Sequence, residues 1–221
     1  ALAARLAKIE HPQLKDVRIE DGTIRFTDQR SGAVQEVQAV NVALALPSMQ
    51  SPLSARGDLA WKGEKTDFDA TLTNAQTVIE EKPAKLAFTA KNRHLSASYD
   101  GFALFKDGAD IEGDVEASSA SARELAAWFG NTLPPVTGFG PLSISGRIKT
   151  ASSVTTFSNA NFGLDGATAT GTVSVKTGGV RPYVQANLKL SELDLNKYMT
   201  NATVMTPDGS PPASATPVPA G

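Results

Sequence analysis

Cysteine is absent from this 221-residue chain, which excludes disulfides, thiolate chemistry and cysteine-ligated metals while leaving the compartment open. Histidine is nearly absent too. His11 and His94 are the only two, far apart and each in a turn-like setting, so a histidine-built metal site lacks ligands and both read as structural or surface residues. Aromatic residues make up only 6% of the chain, too few for the platforms of a sugar-binding groove. Neither charge sign dominates: 21 Lys and Arg face 23 Asp and Glu, for a net charge of −2. The basic residues are scattered singly, and a nucleic-acid surface needs them concentrated. No apolar run reaches the ~18 residues that suggest a spanning helix.

Catalytic signatures are missing as well. There is no Gly-x-Ser-x-Gly elbow, phosphate loop or dinucleotide fingerprint. Asp107, Asp110 and Glu112 lie close together but lack calcium-loop spacing, and Asp110 and Glu112 fall on one solvent face of a strand. Asp67 and Asp69 flank Phe68 on what should be a polar strand face. Gly138-Phe139-Gly140 is a lone loop element. Nothing selects a glycosidase-like carboxylate pair. The reading is a non-enzyme with no catalytic residue, no metal site and no cofactor.

What the chain has is alternation. In Val40–Leu72, the residues Val40, Val42, Leu44 and Leu46 alternate with smaller or polar ones, and Pro47–Pro52 turns the chain. Leu53, Ala55, Gly57, Leu59 and Trp61 alternate again. Lys62–Lys65 turns it back, and Thr66, Phe68, Ala70 and Leu72 repeat the pattern. Period two over such runs marks half-buried antiparallel strands. Asp21-Gly22, between Val17-Ile19 and Ile24-Phe26, predicts a tight hairpin, and the next turn falls at 28–32. Further strands are expected around Leu86–Ala90, Leu95–Tyr99, Phe102–Leu104, Ile111–Val115, Leu142–Ile148, Thr156–Leu164, Ala167–Val175 and Tyr183–Leu190, with Asp107-Gly108, Asp165-Gly166 and Gly178-Gly179 as turns.

Helix is sparse. Leu2, Leu6 and Ile9 suggest a short amphipathic helix in 1–13, and Asn74–Pro83 has room for a helical turn. Ser121 and Glu124 spell a capping box opening a helix that Gly130 can close in a left-handed conformation. Leu193–Met199 reads as a terminal helical turn. The proline-rich stretch near 131–140 is the best internal boundary of a β-rich domain spanning 14–199. Residues 200–221, almost without large apolar side chains, read as a disordered tail. Leu-Ser starts at Leu53, Leu95 and Leu142 give a loose repeat of irregular period.

Strands of ~9–11 residues span roughly 30 Å, yet their apolar positions are often Ala, Gly, Val or Thr. A closed sandwich this size normally fills its interior with more Phe, Leu and Ile. The expected fold is therefore mainly β, a large curved antiparallel sheet forming a groove or half-open barrel with a few short helices, with a packed β-sandwich as the alternative.

The order of VRIEDGTIRFTDQRSG, VQAVNVALALPSMQSPLSARGDLAWKG, SARELAAWFG and FGLDGATATGTVSVKTGGVRPYVQANLKLSELDLNKYM resembles the AsmA family of bacterial envelope proteins, from about Leu14 to Met199. Its most specific parts are the Asp21-Gly22 hairpin with the Val-Asn-Val strand, the Leu-Asp-Gly strand turn, Arg181-Pro182 and Leu193-Asp194-Leu195-Asn196-x-Tyr198. The resemblance implies a periplasmic β-rich segment of a protein held in the inner membrane by a helix outside this chain, which starts at Ala1 without methionine. It implies phospholipid handling between inner and outer membranes and outer-membrane homeostasis, with phospholipid or fatty acyl chains and envelope proteins as partners and no nucleic acid. The alternative from another class is a structural module supporting outer-membrane protein assembly. A lipid role needs smooth apolar walls rather than catalytic groups, and the candidate lining is Val42, Leu44, Leu59, Phe68, Leu72, Leu86 and Phe88.

Overall fold

The computed structural model describes residues 14–27, 34–105, 109–178 and 181–199. The helix expected in 1–13, the turns expected at 28–32 and 107–108 and the tail expected over 200–221 lie outside the described residues.

Eleven strands follow one another in a single antiparallel sheet whose spatial order is the order of the chain. They are β1 (Leu14–Thr27), β2 (Val34–Leu46), β3 (Leu53–Trp61), β4 (Glu64–Leu72), β5 (Ala84–Lys91), β6 (Ser96–Phe105), β7 (Ala109–Ser119), β8 (Leu142–Ala151), β9 (Val154–Leu164), β10 (Ala167–Lys176) and β11 (Tyr183–Leu190). Helix α1 (Ala75–Ile79) joins β4 to β5, and helix α2 (Ala122–Trp128) lies between β7 and β8. A 3-10 turn, Leu195–Lys197, follows β11. The sheet is open and curved. The described residues form one sheet, not two facing ones, so the sandwich alternative does not hold. The segment at 131–140 does not divide the sheet, because β7 pairs with β8 from Glu112–Lys149 to Ser119–Leu142.

The tightest connections fit their residues. Lys62 and Gly63 have φ of 49° and 79°, and Asp165 and Gly166 have 53° and 89°. Two successive left-handed residues match the right-handed twist of the flanking strands. The turn expected over Lys62–Lys65 is thus shorter, and Glu64 already opens β4.

The Asp21-Gly22 hairpin is not formed. Both residues lie inside the unbroken strand β1, where the pairing steps from Ile19–Val42 to Gly22–Val40 and then to Ile24–Val37. Asp21 takes φ 52° as an extra residue on β1, and Asn41 Oδ1 accepts its N–H at 3.0 Å. Ala39, at φ 46°, is the matching extra residue on β2. These are β-bulges, which bend a strand and raise its twist. Residues with local signals for φ > 0 suit a bulge as well as a turn.

The Ala39 bulge also changes which residues share a face. Val37 pairs with Trp61, whereas Val42 pairs with Gly57, so the odd-numbered Val37 and the even-numbered Val42 point the same way. Asn159, at φ 49°, does the same on β9, where Phe157 and Phe162 both pair with β10 residues of one parity. Backbones close up beside these bulges. A Cβ at Gly57 would collide with the Asn41 carbonyl, and one at Gly171 with that of Asn187.

Little of the molecule is buried. Among the described residues the buried apolar side chains are Val40, Leu46, Ala75, Ala84, Ala103 and Ala160, and no large side chain is fully buried. Backbone ladders and side-by-side apolar contacts on one face hold the sheet together, rather than a two-layered core.

Candidate functional site

Directly paired residues on neighbouring strands share a face, so the registers trace what each face carries. One row runs Leu44–Ala55–Ala70–Phe88–Tyr99–Val115–Gly146 across seven strands. A second runs Val42–Gly57–Phe68–Ala90–Ala97–Ala117–Ile144–Phe162–Ala169–Leu190, from β2 to β11. A third holds Leu53, Leu72, Leu86, Gly101, Gly113, Ile148, Phe157, Val173 and Ala186. The result is an apolar surface that is continuous from strand to strand.

All seven sequence-predicted lining residues lie on this face: Val42 and Leu44 on β2, Leu59 on β3, Phe68 and Leu72 on β4, Leu86 and Phe88 on β5. The sheet brings them together, with Leu72 opposite Leu86 and Phe68 two strands from Val42 across Gly57. None is buried. Six are half-buried and Phe88 is 37% exposed. The same face continues through Val115, Ile144, Phe162 and Leu188, which the candidate list omits although their strands show the same alternation.

The opposite face is polar and ion-paired. Arg25 meets Glu36 at 2.7 Å, and Lys149 and Arg147 meet Glu112 at 2.8 and 3.3 Å. Lys149 first and Arg147 second hold the Glu112 carboxyl below its ordinary value. Asp69 bonds Arg56, and Asp110 accepts the Ser152 N–H at 3.0 Å. Among the described residues no group of three or more His, Asp or Glu is placed to hold a metal ion.

At the turn end of β3 and β4 the apolar face acquires a roof. Ser121 caps α2 by accepting the Glu124 N–H at 3.2 Å. The return half of the capping box is not made, because Ser119 Oγ takes the Ser121 N–H and the Glu124 carboxylate lies 3.6 Å from His94 Nδ1. Gly130, at φ 90°, ends the helix, with the N–H groups of Gly130 and Asn131 bonding back to Ala127 and Ala126. This Schellman closure presents Trp128 and Phe129 to Trp61. Trp128 stands edge-on to Trp61 at 5.0 Å and donates its indole N–H to the Trp61 carbonyl at 3.3 Å. Phe129 lies 5.7 Å from Trp61, and Lys62 sits over the Trp61 ring.

The loop after α2 is tied down rather than regular. Arg123 donates to the carbonyls of Leu133, Pro134, Val136 and Gly138 at 3.3, 2.6, 2.7 and 3.0 Å. Asp165 accepts from the N–H groups of Phe139 and Gly140 and from the Tyr198 hydroxyl, at 2.8, 2.7 and 2.7 Å. The Tyr198 hydrogen bond, and after it the backbone donors, hold the Asp165 carboxyl below its ordinary value. The same bond, with burial and the Asp165 charge behind it, pushes Tyr198 up to about 12. The Gly138-Phe139-Gly140 element thus anchors α2 to the β9–β10 turn.

His94 is buried, 8% exposed. Its ring stacks 5.8 Å from Trp128, its Nε2 lies 3.4 Å from Glu64 Oε1, and its Nδ1 makes no hydrogen bond. Its turn is fixed by Asn92 Oδ1, which accepts the N–H groups of both His94 and Leu95 at 2.8 Å. His11 lies outside the described residues. The pairing of Trp61 with Trp128 and the burial of His94 have no local sequence signal, since both depend on how α2 folds back over the sheet. No family model, curated protein or solved structure matches the chain.

Proposed function

We propose that the sheet is a lipid-handling trough, a periplasmic segment of an AsmA-like protein tethered to the inner membrane through a part outside this chain. It would carry phospholipid acyl chains between the inner and outer membranes and so serve outer-membrane homeostasis. The observation that carries this reading is the apolar face, continuous across the strands and covered by no second sheet among the described residues. Moving acyl chains through water costs about 0.8 kcal/mol per CH₂, so a ~16-carbon chain faces a penalty above ~10 kcal/mol. A smooth aliphatic wall offsets that penalty at each step without gripping one lipid tightly. Uninterrupted apolar patches of this extent on a sheet mark ligand or partner surfaces, and the ordered motifs that resemble the AsmA family point to the same ligand class.

Native mass spectrometry of gently purified protein, with fluorescent fatty-acid titration beside it, tests the reading. Co-purifying phospholipid and saturable uptake are expected. A protein that carries no lipid and takes up no fatty acid would sink it.

A second reading, a structural module for outer-membrane protein assembly, is favoured by one observation. Every residue of β11 is exposed, with Val184 at 60% and Leu190 at 55%, which leaves a strand edge open to β-addition. Amide exchange separates the two readings: slowed exchange confined to β11 when an envelope protein is added, without lipid uptake, supports the second.

A further inference from the structure

Beneath Trp128 the trough ends in a cavity of about 310 Å³, lined by Val37, Leu59, Trp61, Thr66, Ala90, Asn92, Leu95 and Trp128. Most of its polar groups are already engaged. Asn92 Nδ2 donates to Thr66 Oγ1 at 3.1 Å, Asn92 Oδ1 takes two backbone N–H groups, and the Trp128 indole N–H is held by the Trp61 carbonyl. A polar ligand entering here would lose its hydration and find few partners, at a cost of several kcal/mol. An aliphatic terminus loses nothing. The volume sits at the lower end of the ~300–1,000 Å³ usual for ligand pockets, which suits the end of a chain rather than a whole lipid. The other side of Trp128 is different in kind, a cleft lined by Glu64, Arg93, His94 and Glu124, so the indole ring separates an apolar compartment from a charged one.

We propose that this cavity is the seat of an acyl chain's methyl end, with Trp128 as its roof, so that lipid lies in the trough with its polar end directed away from α2. This rests on the trough reading and adds a polarity to it. Trp128 acts as a positioning residue: it ends the apolar path and excludes the headgroup from that end.

The chain's two tryptophans both line the cavity, which supplies the probe. The protein is titrated with two fatty acids of equal length, one brominated on the carbon beside the carboxylate and the other on the terminal carbon. Binding is followed independently by calorimetry, and quenching of tryptophan emission is read at saturation. The terminal bromine is expected to quench most of the emission and the carboxyl-side bromine little. Equal binding with equal or reversed quenching would overturn the methyl-end assignment while leaving the trough standing. No calorimetric binding of either acid would overturn the trough, and this assignment with it.

A second variant reads the same point without fluorescence. Ala90→Phe fills the cavity and is expected to weaken long chains about fourfold for each methylene excluded, leaving shorter chains unaffected and the melting curve cooperative. Equal affinity for all chain lengths in that variant would contradict the proposal.

Discussion

The two faces of this sheet are made from the same strands, yet they follow opposite rules. On one face, Arg56–Asp69 and Lys149–Glu112 sit at the surface as solvated ion pairs. On the other, Leu44, Phe68, Leu86 and Ile144 share one apolar face and are half-buried. In an ordinary half-buried sheet the apolar face is covered by another layer. Here the cover is local: Trp128 and Phe129 roof one end, and no large side chain among the described residues is fully buried. The difference teaches that hydrophobic alternation specifies a face, while a covering layer must come from elsewhere in the chain or from a ligand.

The most damaging way to break the contrast is to upset the bulge that aligns the apolar face. Gly57→Val drives a side chain into the Asn41 carbonyl beside the Ala39 bulge, and a loss of about 3 kcal/mol or more is expected in urea denaturation. Next in size, Leu86→Ala should cost about 1–2 kcal/mol, below the ~2–5 kcal/mol of a core leucine, because Leu86 is only half-buried. A loss at the top of the core range would mean that this face is a core after all.

The α2 anchor sharpens the contrast through pH. Asp165 is held below its ordinary carboxyl value, chiefly by the Tyr198 hydroxyl. Its contribution is therefore complete above about pH 4 and is lost as pH falls through the lowered native value. Tyr198 is pushed up to about 12, so its contribution holds below about pH 10 and is lost as pH rises through 12. Asp165→Asn should flatten both limbs of a melting-temperature profile, and an unchanged profile would show that the clasp does not hold the cap. The smallest effect belongs to the polar face: Arg56→Ala should shift stability by only about 0–1 kcal/mol, readable in the same denaturation experiment.

Much of the architecture was legible because period two is a local property. Val34–Leu46 and Leu53–Trp61 can be bounded from alternation and proline punctuation alone, and the polar placement of Asp67, Asp69, Asp110 and Glu112 follows from the same rule. Asp21-Gly22 was not legible. The dipeptide supplies left-handed residues, and whether these make a turn or a bulge depends on the length of the partner strand. The seven candidate residues share one face because each belongs to an alternating run. The roof was not, since Trp61 and Trp128 lie strands apart and meet only once α2 folds back. The same holds for the Asp165–Tyr198 clasp, in which the β9–β10 turn and the residue that ends the 3-10 turn are joined by topology rather than by sequence spacing.

Phe88 offers the most direct test of the central claim, that the apolar face is an open binding surface. It is 37% exposed on that face, in the row between Ala70 and Tyr99. Fatty-acid affinity and melting temperature are measured side by side for the native chain and for Phe88→Asp. The account predicts saturable binding by the native chain, abolished in the variant, with a melting temperature that stays close to the original. A native chain that binds nothing, or a variant that unfolds outright, would contradict it.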